Sequence, residues 1–187
     1  MNVQLKLDEY TKLWATMDIH PASLPEATKI ADKIKANEER YQEISNALGG
    51  LIPYYFIGII HNMECGLDFG QHLHNGDSLK SRTVQEPKGR PIEPPKSSSG
   101  YSFLESAIDA LKMKGYDKKE SWSLEEVLYR LEKYNGWGYD LKGVTSPYLW
   151  AGSNQYTKGK YVSDGVFDPN AVSKQIGAAV IIKLLDV

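Results

Sequence analysis

Three carboxylates stand close together in the first half of the chain, Glu64, Asp68 and Asp77. Glycoside hydrolysis uses one carboxylic acid to protonate the leaving oxygen, and often a second group as nucleophile or to activate water. Glu64 has the first claim to the acid. It follows the apolar run from Leu51 to Ile59. Pro53 is placed to open a helix there, since its missing N–H would be unpaired anyway. Gly66 is placed to close it, because glycine takes the left-handed C′ position without strain. Glu64 then falls in the last turn of a largely buried helix, where the helix's negative end and apolar surroundings both disfavour the ionised form. A carboxyl kept protonated near neutral pH is what a general acid needs. In the plainer alternative, Glu64 caps the surface end of a core helix. Asp77 is the favoured partner: it lies in His72-Leu73-His74-Asn75-Gly76-Asp77, on a glycine-containing turn able to fold back over Glu64. Asn-Gly-Asp is equally an ordinary turn, and Asp68 reads as structural.

A second constellation is aromatic. Tyr134, Trp137, Tyr139, Tyr148, Trp150, Tyr156 and Tyr161 are interleaved with glycines and with Asn135, Ser153 and Asn154. Sugar faces present C–H groups that stack on aromatic rings, while amides bind hydroxyl and acetamido groups. Rings from this segment are therefore expected to line a groove, although a loop that holds itself together by aromatic packing would look the same.

A metal is the third possibility. His61 and Cys65 are four apart and share a helix face, with His72 and His74 close behind. Their spacing matches no standard zinc site, and Glu64 is not placed as in His-Glu-x-x-His. No metal and no cofactor are expected. Lys88-Gly89-Arg90 is too short for a nucleic-acid patch, no glycine-rich phosphate loop is present, and Ser and His form no nucleophile elbow.

These residues must be positioned by a chain of 187 residues with net charge −2, 41% hydrophobic and 25% charged. That length suits one domain burying roughly 70% of its unfolded surface. Composition indicates no broad basic field for nucleic acid. Cys65 is the single cysteine, which rules out an intramolecular disulfide. Met1 to Ile19 lacks the continuous apolar core of a signal peptide, and Leu51–Ile60 is too short to span a membrane. A soluble, cytoplasmically made monomer without stable membrane insertion is expected.

Helical spacing of Ala27, Ile30, Ile34, Tyr41, Ile44 and Leu48 predicts one long helix ending at Gly49-Gly50, after a shorter one from about Leu5 to Met17. Residues 67–100 read as a polar excursion in which only Arg82-Thr83-Val84 looks like a strand. Capping boxes at Ser102/Glu105 and Ser123/Glu126 announce two more helices. Asp168-Pro169 is expected to open a last one carrying Val172, Ile176, Ala179, Val180 and Leu184. Together these elements predict a mainly α, α+β domain covering 1–187, with a polar excursion at 67–100 and an aromatic loop region at 134–167.

The run Ile59-Ile60-His61-Asn62-Met63-Glu64-Cys65-Gly66-Leu67-Asp68-Phe69 resembles the acid-bearing helix end of lysozyme-like peptidoglycan hydrolases. The likeness continues through His74-Asn75-Gly76-Asp77, Arg82-Thr83-Val84, Pro87-Lys88-Gly89-Arg90-Pro91, Ala107-Ile108-Asp109-Ala110-Leu111, Tyr134-Asn135-Gly136-Trp137-Gly138-Tyr139, Ser146-Pro147-Tyr148-Leu149-Trp150-Ala151-Gly152-Ser153-Asn154 and Tyr156-Thr157-Lys158-Gly159-Lys160-Tyr161-Val162. Together, from about Leu51 to Leu185, they look like a group of phage and prophage lysozyme-like proteins, many of them endolysins.

The resemblance implies a lysozyme-superfamily fold: helices around a substrate cleft, with a small irregular or β lobe after the catalytic glutamate. It implies cleavage of peptidoglycan between N-acetylmuramic acid and N-acetylglucosamine, with Glu64 as general acid. Asp77 is the expected second group and Glu105 a further candidate. Tyr134-Asn135-Gly136 is similar to the Tyr-Asn-x-Gly signature of goose-type lysozymes and lytic transglycosylases, with the glycine one residue early. His74, Asn75, Tyr134, Asn135, Tyr148, Trp150, Asn154 and Tyr161 would bind substrate. The partner is bacterial peptidoglycan, reached after release from the host cytoplasm. A lytic transglycosylase with the same acid, a zinc amidase or peptidase using His61, His72 and His74, a non-catalytic wall-binding or virion component, and a chitin- or chitosan-cleaving enzyme stay open as alternatives.

Overall fold

The computed structural model describes residues 2–163 and 165–187. Its elements run α1 (Val3–Ala15), α2 (Leu24–Ala36), α3 (Glu38–Ala47), α4 (Tyr54–Cys65), α5 (Phe103–Met113), α6 (Leu124–Asn135), α7 (Pro147–Trp150), β1 (Lys160–Ser163), β2 (Val166–Asp168) and α8 (Ala178–Leu185). The protein is mainly α-helical with one small antiparallel pair of strands. Among the described residues no helix is long and apolar enough to cross a membrane. The chain divides into two compact units, Met1–Asp32 with Ser123–Val187, and Lys33–Trp122.

In the unit Lys33–Trp122 the central element is α4. Its Phe56, Ile57, Ile59 and Ile60 are fully buried, the near-continuous apolar run having no polar face to offer water. Gly58 is where the end of α2 and the start of α3 come close: a Cβ there would stand 2.6 Å from a methyl of Ile34 and 3.1 Å from the Tyr41 ring. The expected single helix from Ala27 to Leu48 is broken at Asn37. Its side-chain amide donates to the Lys33 carbonyl at 2.9 Å, so the side chain replaces a main-chain donor and ends α2. Asn37 then stands at φ −112° and ψ 16° before α3 begins. Pro53 precedes α4, and Gly66 closes it in the left-handed conformation at φ 59°, as expected. The capping box of Ser102 and Glu105 at the start of α5 is formed in both directions.

Between α4 and α5 the chain is irregular. Arg82-Thr83-Val84 forms no strand. Thr83 instead exchanges short-range bonds, its N–H donating to Arg90 O at 2.8 Å and its carbonyl accepting from Gly89 N at 2.9 Å. That closes a loop of its own rather than pairing with a neighbour. Residues 92–99 are exposed, as their composition predicts.

In the other unit, α1 packs along α6, and α6 starts with the second predicted capping box, Ser123 with Glu126. Asp168-Pro169 does not open a helix. Asp168 ends β2, and its carboxylate accepts from Asn170 N at 2.8 Å and Ala171 N at 3.2 Å. The capping chemistry is real, but it closes a turn. The last helix, α8, begins later, behind Gly177, whose backbone is pressed against the Leu149 carbonyl so closely that no side chain fits. β1 and β2 pair Lys160 with Asp168 and Tyr161 with Phe167. The small β element therefore lies in the aromatic segment, not after Glu64.

Candidate active site

Glu64 occupies the last turn of α4 and is half-buried. The chain leaves that turn through two successive left-handed residues, Gly66 at φ 59° and Leu67 at φ 65°. The second is costly for a side-chain-bearing residue. Cys65, next along, is buried, and its thiol donates to the His72 carbonyl at 3.2 Å. Burial pushes the thiol up to about 12, helped by the negative charges of Glu64 and Asp68. Cys65 is thus a neutral hydrogen-bond donor and no nucleophile.

The segment after α4 folds back over its end. His72 N–H donates to Asp77 O at 2.6 Å and Gly76 N–H to His72 O at 2.9 Å, closing a tight turn. At its apex Gly76, at φ 79°, lies against the main-chain carbonyl of Glu64; a Cβ there would stand 2.8 Å from that oxygen. The glycine-containing turn thus reaches the helix end that bears Glu64.

Asp77 organises this turn. Its carboxylate accepts from Val84 N (2.8 Å), Gln85 N (2.9 Å), Gln85 Nε2 (2.9 Å) and Asn75 Nδ2 (3.1 Å). Slight burial works in the other direction, but these donors together hold the carboxyl below its ordinary range. Asp77 is ionised at any physiological pH. Asn75 completes the knot, accepting from Asp77 N at 3.0 Å and donating to the carbonyls of Gln85 and Glu86. Its amide is committed to its own loop.

His74 is equally committed. Its side chain is 0% exposed, and Nε2 faces Asp109 Oδ2 at 2.8 Å. Burial lowers its pKa, against the pull of the Asp109 bond. Asp109 also takes a two-pronged contact from Arg90, both at 2.8 Å. Ser106 Oγ receives Leu73 N at 3.1 Å and pairs with His72 Nδ1 at 2.9 Å, while His72 Nε2 reaches the Ser81 carbonyl at 2.8 Å. This buried polar chain fastens the excursion to α5. His74 is a fastening, where direct substrate contact was expected. Glu105, the further candidate, is occupied by its capping box and by Lys96 N at 2.9 Å.

His72 and His74 of the zinc alternative are spent in the bonds just described. His61 Nδ1 meets the Tyr41 hydroxyl at 3.0 Å, on the α3 side of α4. Among the described residues no three His, Cys, Asp or Glu side chains gather as a metal would need.

The aromatic set lies in the other unit. Trp150 is 1% exposed and its ring packs 6.5 Å from that of Tyr10; it has no face for a sugar. Tyr148 and Tyr134 are also buried. Asn154 clamps the chain, accepting from Asp18 N at 2.8 Å and donating to Thr16 O at 2.9 Å. Asn135, at the end of α6, is exposed, and Tyr161 on β1 is half-buried. The Tyr161 hydroxyl donates to Gly138 O at 3.2 Å, and its ring meets Tyr139 and Phe167 edge to face at 5.2 and 5.4 Å. Of the expected sugar-binding set in this unit, Asn135 and Asn154 are exposed and Tyr161 is half-buried, with the Asn154 amide already spent on the chain.

Sequence reasoning missed Glu132 in α6. It is 2% exposed, accepts from the Tyr10 hydroxyl and lies 3.9 Å from Lys6 Nζ; burial raises its pKa. The signal was its spacing: four residues after Leu128, on the face that carries the apolar series. No family model matches this chain, and neither a curated protein nor a solved structure matches it.

Proposed function

We propose that the protein is a lysozyme-like muramidase of the endolysin type, cleaving the β-1,4 bond between N-acetylmuramic acid and N-acetylglucosamine in bacterial peptidoglycan. Glu64 donates the proton to the scissile oxygen. The observation that carries this reading is the construction at the end of α4: a half-buried carboxylate in the last turn, a left-handed exit through Gly66 and Leu67, and a turn folded back onto the Glu64 backbone through Gly76. Strained backbone of this kind collects at functional sites because the surroundings must hold it there.

Protonation divides the roles. Asp77, held ionised by four donors, cannot supply a proton at neutral pH. It suits stabilisation of the positive charge that develops on the sugar ring. A lysozyme-like arrangement of helices belongs to this proposal.

One observation favours a second reading. Asp77's acceptors are all directed at its own loop, so a second carboxylate free to activate water is missing from the turn. A lytic transglycosylase needs none, because the muramyl 6-hydroxyl attacks in place of water. Digestion of purified peptidoglycan, with mass analysis of the new chain ends, decides the matter. Reducing muramic acid ends support the muramidase, 1,6-anhydro ends support the transglycosylase, and no new ends would contradict both.

A further inference from the structure

Ser106 and Asp109 stand three apart on α5, so one turn of the helix presents both. Between them they gather the turn at 72–77 and the loop that ends at Arg90. The partners of each ring nitrogen fix where the hydrogens lie. His72 Nε2 meets the Ser81 carbonyl at 2.8 Å, so that nitrogen carries a hydrogen and donates it. Its Nδ1 then accepts the Ser106 hydroxyl hydrogen at 2.9 Å. His74 Nε2 faces Asp109 Oδ2 at 2.8 Å and donates in the same way. The bare Nδ1 of a neutral His74 lies 3.4 Å from Ser106 Oγ, whose one hydrogen is given to His72. Asp109 therefore holds the neutral His74 ring in a single tautomer.

A second proton on His74 would charge a ring with no exposed side-chain surface. The cation would share one carboxylate with the two-pronged Arg90, and the His72 ring lies 5.7 Å away. Burial, His72 and Arg90 all oppose that charge, and Asp109 alone favours it. The ring is also tied to the candidate acid. Only Asn75 separates it from Gly76, whose N–H donates to His72 O at 2.9 Å and whose Cα rests against the Glu64 carbonyl. A displaced His74 ring takes that contact with it. We propose that Asp109 and His74 are positioning residues for Glu64 and form a proton-sensitive clasp: with His74 neutral the turn is held on the end of α4, and protonation of His74 releases it. The consequence for catalysis rests on the muramidase reading; the clasp itself does not. Burial makes His74 harder to protonate in the folded protein than its ordinary 6.5. Acidification through that value therefore favours any state in which the ring is let out, and the turn is the element that opens.

The test is ring-nitrogen and amide hydrogen-exchange NMR on the whole protein between pH 7 and pH 4.5, beside peptidoglycan digestion over the same range. At pH 7 His74 is expected as the Nε2–H tautomer. Towards acid, exchange of the Gly76 amide, corrected for its intrinsic pH dependence, should quicken by roughly tenfold. His74→Gln is the control, because its side-chain amide can still donate to Asp109 and takes up no proton. In that variant Gly76 protection should stay level, and the acid-side fall in kcat should be smaller than in wild type with KM little changed. His61 titrates in both proteins, so the comparison cancels it. Asp109→Asn keeps the shape and removes the charge, and should quicken Gly76 exchange already at pH 7. A wild-type Gly76 amide equally protected at pH 7 and pH 4.5 would overturn the clasp. So would an Nδ1–H tautomer at pH 7, or wild-type pH dependence in His74→Gln. The two readings fail separately. No new glycan ends at any pH would contradict the muramidase and leave the exchange result standing, while pH-independent Gly76 exchange would sink the clasp whatever cleavage shows.

Discussion

Gly76 lies directly on the main-chain carbonyl of Glu64, so close that a Cβ at position 76 would stand 2.8 Å from the oxygen. The contact links the end of a buried helix to the turn that carries Asp77. It depends on a residue without a side chain, for a second reason too: Gly76 is at φ 79°, which L-residues rarely adopt.

Gly76→Ala should therefore cost about 1–3 kcal/mol of stability, from the backbone conformation and the forced retreat from Glu64 together. Urea unfolding of wild type and variant measures it. Because the retreat moves the turn off the end of α4, glycan cleavage should fall more than the loss of folded protein explains. A variant as stable and as active as wild type would contradict the contact.

Asp77 ties the excursion to itself through Val84, Gln85 and Asn75. Asp77→Ala removes the acceptor on which these donors converge, and the segment around Lys88 and Arg90 should open. Limited trypsin digestion is expected to cut there roughly tenfold faster, as local opening becomes easier. The carboxyl's pKa is depressed in the folded state, so its contribution is present above its ordinary range and is lost as pH falls through the depressed value. In the variant that acid-side loss should be absent. An unchanged cleavage rate would mean that the loop is held by something else.

His61 provides a second pH dependence at milder acidity. Burial lowers its pKa to about 4, from 6.5. As pH falls below 6.5 the unfolded chain takes up the proton first, so stability declines until about pH 4 and then levels. The whole span is on the order of 3 kcal/mol. The difference in unfolding free energy between wild type and His61→Gln, measured at pH 7 and pH 4.5, should narrow towards acid. A constant difference would show that His61 does not titrate in this way.

Local chemistry was legible in the sequence. Ser102 with Glu105 and Ser123 with Glu126 form their capping boxes because each needs only residues three apart. Pro53 and Gly66 bound α4 for the same reason. What failed required knowledge from elsewhere in the chain. Asn37 interrupts a sound helical periodicity because its side chain can bond one turn back. Asp168 caps a turn, not a helix, because the chain ahead of it pairs as a hairpin. That pairing had a signal, an Asp-Gly step at 164–165 flanked by the short apolar pairs Tyr161-Val162 and Val166-Phe167. Aromatic richness between Tyr134 and Tyr161 showed that rings would cluster, but not which would be enclosed. Trp150 is buried against Tyr10, and only tertiary packing decides that. The candidate acid was legible because helix periodicity and its terminators are local; the commitment of His74 and Asn75 to fastening the loop was not.

The central claim is that Glu64 donates the proton, and one comparison tests it most directly. Purified peptidoglycan is digested with wild type and with Glu64→Gln, whose folding is checked by its melting transition, and new chain ends are counted by mass. The account predicts new glycan ends with wild type and a fall of at least about a hundredfold with the variant, the scale of a lost general acid. A folded Glu64→Gln protein that produces the same ends at the wild-type rate would contradict it.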